Sequence, residues 1–172
     1  VGSEMCIRDR MKDVMRKKNV KISIFEIWAS PKAAFKLIEI DDRFKFLKPG
    51  LKVVDLGAAP GGWTQVSVEE TGSDGLVIGI DLLASAPVEG AQMIIGDVTE
   101  KSSQDVILEL LQEGQKVDGN FLGEREDGKQ RLFNSIVSDI SPKLNDQYDR
   151  DHAISLELVD TVFYFTIPII FI

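Results

Sequence analysis

The residues best suited to chemistry cluster in one short stretch, Val53-Val54-Asp55-Leu56-Gly57-Ala58-Ala59-Pro60-Gly61-Gly62-Trp63. An apolar run leads into Asp55, a glycine-rich turn follows, and a helix-like segment comes next. Glycine lets a backbone approach a ligand closely, and the start of a helix presents unpaired N–H groups to it. The spacing is Gly-x-x-x-Gly-Gly, with Pro60 and Trp63 built in, and not the Gly-x-Gly-x-x-Gly of dinucleotide sites. It therefore points away from NAD or FAD and toward another adenosine-containing ligand.

Three further carboxylates belong with this stretch. Asp81 ends an apolar run about 20 residues after the turn, where a carboxylate can accept both hydroxyls of a ribose; the plainer alternative is a turn cap. Asp97 follows Gly96, where it could accept an adenine amino group or serve as a solvated turn residue, and spacing leaves both open. Asp139 closes another apolar run beside the expected position of the ligand's reacting end, unless it only makes an Asx turn toward Pro142. Lys36 adjoins Phe35 on an amphipathic segment, where lysines are commonly solvated or lie along apolar surface. Trp63 reads by itself as a packing residue, and His152, the single histidine, as a helix-end residue.

The elements that must position these groups alternate. Ser30-Pro31 signals a helix start that runs to about Phe44. Strands are expected at Lys52–Leu56, Leu76–Asp81, Gln92–Ile95 and Asn134–Ser138, and helices at about Gly62–Glu70, Ser102–Glu113 and Asp151–Phe165. Such alternation predicts an α/β fold with a mostly parallel sheet and helices on both faces. In that arrangement ligands bind beyond the carboxyl ends of the strands, which gathers Asp55, Asp81, Asp97 and Asp139 near one edge.

With 172 residues, 44% hydrophobic and 28% charged, the chain is one domain's worth of ordinary globular sequence. The net charge of −8 argues mildly against nucleic-acid binding, but the basic residues crowd the first 48 positions and leave one end able to meet an anion. Cys6 is the single cysteine, so an intramolecular disulfide and a cysteine-cluster metal site are excluded, and a cytoplasmic setting fits. No apolar stretch reaches the ~20 residues of a membrane span. Residues 1–10 (VGSEMCIRDR) read as translated sequencing-adapter DNA or a charged leader, residues 11–29 as a basic segment, and 119–131 as an inserted loop or hairpin within a domain spanning 30–172.

Phe35-Lys36-Leu37, Leu47-Lys48-Pro49-Gly50, the Val53–Trp63 stretch, Asp81-Leu82-Leu83, Gly96-Asp97 and Ser138-Asp139-Ile140-Ser141-Pro142 together resemble the FtsJ/RrmJ family of RNA 2′-O-ribose methyltransferases, in the family's order. The resemblance implies a Rossmann-like fold, S-adenosylmethionine as cofactor and RNA as partner, with large-subunit ribosomal RNA first and tRNA second. It implies cofactor contacts at Gly57, Gly61, Trp63, Asp81, Asp97 and Asp139, catalytic roles for Lys36 and Asp139, no metal, and a monomer. The family's Lys-Asp-Lys-Glu group matches here at Lys36 and Asp139.

Departures accompany the match. Phe163 to Ile172 stands where the family carries a glycine turn and its central lysine, so the chain is expected to stop short of the last strands. Lys143 stands where the family tends to have asparagine, and Ser30-Pro31-Lys32 where it has an arginine-rich approach. A cofactor-binding fragment without catalysis is therefore the second reading. A short-chain dehydrogenase is the third, disfavoured by the glycine spacing and by the lack of Tyr-x-x-x-Lys.

Overall fold

Strand β1 (Lys52–Leu56) is buried along its whole length, and its side chains alternate between two separate cores. Val53 joins Ala34, Leu37, Ile38, Trp63 and Val66, whereas Val54 and Leu56 join Ile78, Ile80, Ile107 and Leu111. A strand enclosed on both faces is the mark of a parallel sheet covered by helices. The computed structural model describes residues 31–118 and 133–140, and within 156–164 it describes Leu156, Glu157, Val159, Asp160, Val162, Phe163 and Tyr164. The expected leader, basic segment, insertion, His152 and the Ser141-Pro142 loop lie outside the described residues.

The described elements run α1 (Pro31–Phe44), β1, α2 (Gly62–Thr71), β2 (Leu76–Asp81), β3 (Ala91–Ile95), α3 (Lys101–Asp118) and β4 (Ser135–Ser138). The sheet order is β3-β2-β1-β4, and every pairing is parallel. Asp55 stands opposite Gly79 of β2 and Val137 of β4. Because all strands point the same way, Gly57, Asp81, Asp97 and Asp139 come to one edge, as alternation in the sequence anticipates. Helices α1 and α2 cover the Val53 face, and α3 covers the Val54 face.

Helix α1 buries Ala34, Leu37 and Ile38, the i, i+3, i+4 stripe expected of a helix on a core. It ends where Lys45 takes a positive φ of 53° and donates its N–H to the Asp41 carbonyl at 2.7 Å. The buried Asp41 side chain accepts the Leu47 N–H at 2.8 Å, which turns the chain toward β1. Helix α3 is longer than its apolar periodicity suggests. It continues through Gly114, a residue that reads as a stop but costs a helix only about 1 kcal/mol. Residues Leu156, Glu157, Val159, Asp160, Val162, Phe163 and Tyr164 are helical, within the predicted Asp151–Phe165 helix, and Val162 packs on the α3-side core.

Candidate active site

The glycine turn continues the sheet and then leaves it. The Gly57 and Ala58 N–H groups both donate to the Ile80 carbonyl, at 2.9 and 3.0 Å, so the β1–β2 ladder persists one step past the strand. Gly57 has φ 83°, and a Cβ there would lie 2.4 Å from Ile140 Cγ1, so a side chain is excluded by both conformation and space. Gly61, at φ 111°, caps α2, and the first bond inside that helix runs from the Gln65 N–H to the Gly61 carbonyl at 2.9 Å. The amides of Gly62, Trp63 and Thr64 precede that ladder, as the opening amides of any helix do.

Asp81 fastens this turn to β2. Its Oδ2 accepts the Ala59 N–H at 3.0 Å and its Oδ1 the Leu83 N–H at 2.8 Å. Carboxylate oxygens hold further lone pairs, so these bonds leave room for a diol. Asp97 organises its own turn: Oδ1 accepts both the Thr99 N–H at 2.8 Å and the Thr99 hydroxyl at 2.7 Å, just ahead of α3. The turn-forming alternative open in the sequence is thus present in the structure, alongside whatever Oδ2 can accept.

Lys36 and Asp139 meet. Lys36 Nζ donates to Asp139 Oδ1 at 2.5 Å, joining α1 to the residue that follows β4 across 103 positions of sequence. The pair is partly open to solvent, with side-chain exposures of 58% and 34%. Trp63 explains why Lys36 reaches this place. Its indole N–H donates to the Ala33 carbonyl at 2.8 Å, its ring is buried against α1, and Lys36 Nζ lies 5.5 Å from the ring centroid. The packing role read from Trp63 alone is what its ring performs: it ties α1 to the start of α2.

Ser138 adds a second tie, its hydroxyl donating to the Leu56 carbonyl at 3.0 Å. Beneath the turn, Asp55 is fully buried, and its Oδ2 accepts the Thr64 hydroxyl at 2.7 Å. Burial pushes its carboxyl up from 3.8 to about 7; Asp139 and Asp81 push the same way, and Thr64 opposes them. Sequence reasoning placed Asp55 among the strand-end acids without a role and missed Thr64 altogether. A threonine nine residues on carries no signal until α2 folds back over β1. Among the described residues no cluster of His, Cys, Asp or Glu is arranged to hold a metal, and no helix is long and apolar enough to cross a membrane.

The arrangement can hold an adenosine-bearing ligand against the glycine turn and can present a cation-carboxylate pair beside it. Comparison with known proteins gives it a family. The model of the FtsJ-like methyltransferase family matches residues 29–170. A Ribosomal RNA large subunit methyltransferase E of Dechloromonas aromatica is 41% identical over 135 residues, covering 78% of this chain and 57% of that protein. One of Gluconobacter oxydans is 52% identical over 84 residues, covering 49% and 30%. The chain spans about half the length of the curated relatives it matches. A ribosomal RNA methyltransferase of Plasmodium falciparum superposes with a TM-score of 0.60 at 27% identity, covering 77% of this chain and 68% of that one. The glycine turn, the four-stranded parallel sheet and the 142-residue extent of the match (29 to 170 inclusive) lead to one statement: this chain belongs to the FtsJ-like methyltransferase family.

Proposed function

We propose that this chain carries the methyl-donor site and part of the catalytic group of an S-adenosylmethionine-dependent RNA 2′-O-ribose methyltransferase of the cytoplasm, with large-subunit ribosomal RNA as substrate. The observation that carries this reading is the Lys36–Asp139 contact beside the glycine turn. Two residues far apart in sequence are brought together at the carboxyl edge of the sheet, where a ligand of this fold binds.

The turn accepts a donor of this kind for stated reasons. Gly57 and Gly61 keep the backbone bare, and the α2 amides, Trp63 among them, face an anionic group such as an amino-acid carboxylate. Asp81 offers lone pairs to a ribose diol, and Asp97 Oδ2 to an adenine amino group. S-adenosylmethionine supplies, when bound, a methyl group on a positively charged sulfur. Lys36, held by Asp139, lies where it can orient a ribose hydroxyl, a weak nucleophile until its proton is drawn off and its oxygen set in line. Arg43 and Lys48, on α1 and just after it, are exposed positive charges of the kind that meets phosphate.

Titration with S-adenosylmethionine, followed by transfer of labelled methyl to ribosomal subunits and mapping of the modified ribose, tests the proposal. Donor binding and 2′-O-methylation of large-subunit RNA are expected. Methylation of tRNA alone would redirect the substrate, donor binding without transfer would leave a cofactor-binding fragment, and binding of NAD in place of the donor would overturn the reading.

A further inference from the structure

The end of α1 carries a feature that the donor site does not use. Phe44, the last residue of the helix, is 65% exposed, whereas Phe46 packs against the core and Leu47 is buried. Among the described residues from 31 to 140 it is the one exposed aromatic ring. The guanidinium of Arg43 lies over that ring, 5.3 Å from its centroid. A lone exposed phenylalanine is ordinary on a protein surface. This one stands among positive charge. Among the described residues no carboxylate pairs with Arg43, and Lys48 is exposed four positions past the ring. Lys45 is offset by Asp42 at 2.8 Å, and Glu39 is the other exposed acid of the helix.

Helix geometry ties this end to Lys36. Arg43 is seven residues on, within about 20° of the same line along α1, and Phe44 flanks that line by about 80°. Ala34, Leu37 and Ile38 occupy the opposite side, in the core, so the line through Lys36 and Arg43 faces outward. The separation along the axis is about 10–12 Å, at about 1.5 Å per residue. An extended strand whose reacting ribose stands at Lys36 reaches the ring within a few nucleotides. Bases inside a duplex stack on one another, whereas an unpaired base offers its face to an aromatic ring or a guanidinium plane. Arg43 and Phe44 present both groups together.

Resting on the RNA reading proposed above, we propose that Arg43 and Phe44 form a stacking site for an unpaired base of the RNA substrate, a few nucleotides from the ribose held at Lys36, with Lys48 meeting an adjoining phosphate.

Fluorescence anisotropy with a labelled single-stranded RNA oligonucleotide of mixed sequence, and with a blunt RNA duplex of the same length, reads this without any need for methyl transfer. The native chain should bind the single strand more tightly than the duplex. Phe44→Leu keeps the apolar bulk but removes the ring, and it should weaken single-strand binding about tenfold with its salt dependence unchanged. Phe44→Trp should restore the affinity. Arg43→Ala should weaken binding and also lower the slope of log affinity against log salt by about 0.7, the loss of one phosphate-facing charge. A thermal melt checks that each variant is folded. Should Phe44→Leu fail to fold, the native chain is photo-crosslinked to the same strand carrying 4-thiouridine, and an adduct at Phe44 is expected. Single-strand affinity equal in Phe44→Leu and the native chain, a duplex bound as tightly as the single strand, or adducts confined to other residues overturns the stacking site and leaves the RNA reading standing. Binding of neither RNA removes both.

Discussion

Asp55 within β1 and Asp139 just past the end of neighbouring β4, two residues beyond the register partner of Asp55, stand under opposite conditions. Asp55 sits opposite Val137, sealed below the glycine turn with a threonine hydroxyl for company. Asp139 lies just beyond Ser138, half-exposed and bonded to a lysine. The same side chain is held near its neutral form in one place and is paired with a cation in the other. Solvent makes the difference. At the rim, water and Lys36 share the charge. At the floor, charge is disfavoured, and the carboxyl is enclosed with the Thr64 hydroxyl.

The sharpest way to break this contrast is at the rim. Lys36→Ala should lower methyl transfer by about 10²- to 10⁴-fold, the usual range for a positioned acid–base group, while moving stability by less than about 1 kcal/mol because the pair is partly exposed. Activity assays beside urea melts read the two effects separately. Equal losses in both would mean that the pair is structural.

The floor is tested by pH. The folded-state value for Asp55 lies above the unfolded one, so the native state binds the extra proton. The stability this provides is fully present below about pH 4 and is lost as pH rises through about 7. The difference in unfolding free energy between the native chain and Asp55→Asn should therefore shift against the native chain by on the order of 4 kcal/mol across that window. A difference that stays constant with pH would show that the carboxyl is not held neutral.

Thr64→Val sharpens the same point at smaller scale. It removes the hydroxyl that Asp55 Oδ2 accepts, costs about 1–3 kcal/mol, and should raise the Asp55 carboxyl further, since Thr64 is the group that holds it down. NMR titration of the carboxyl carbon checks the direction. The smallest effect belongs to the control. Lys45 and Asp42 form an exposed ion pair at 2.8 Å at the C-terminal end of α1, away from the glycine turn. Lys45→Ala should change stability by under about 1 kcal/mol and leave donor binding unaltered. Loss of donor binding there would mean that any lysine on this surface matters.

Much of this was legible in the residues. Val53 to Trp63 announces a strand, a bare turn and a helix start, and each forms where expected because the signals are local: apolar run, glycine, helix-forming sequence. Lys52–Leu56 and Leu76–Asp81 have the bounds that periodicity assigns them, and β3 and β4 differ by one residue at one end. Asp97 divides the two levels. Its sequence context leaves a ligand role and a turn role equal, and the structure supplies the turn bonds through Thr99.

By itself, then, the sequence determined the order of elements, the parallel sheet, the edge where the acids gather and the family, because these follow from local pattern and from motifs in register. Only the tertiary structure decided that Trp63 spends its indole N–H on Ala33, that Lys36 closes onto Asp139, and that Asp55 is sealed under Thr64. Those facts depend on how helices α1 and α2 settle on one face of the sheet. Burial and partnership are properties of that packing, and no spacing along a chain encodes which carboxylate keeps water and which one loses it.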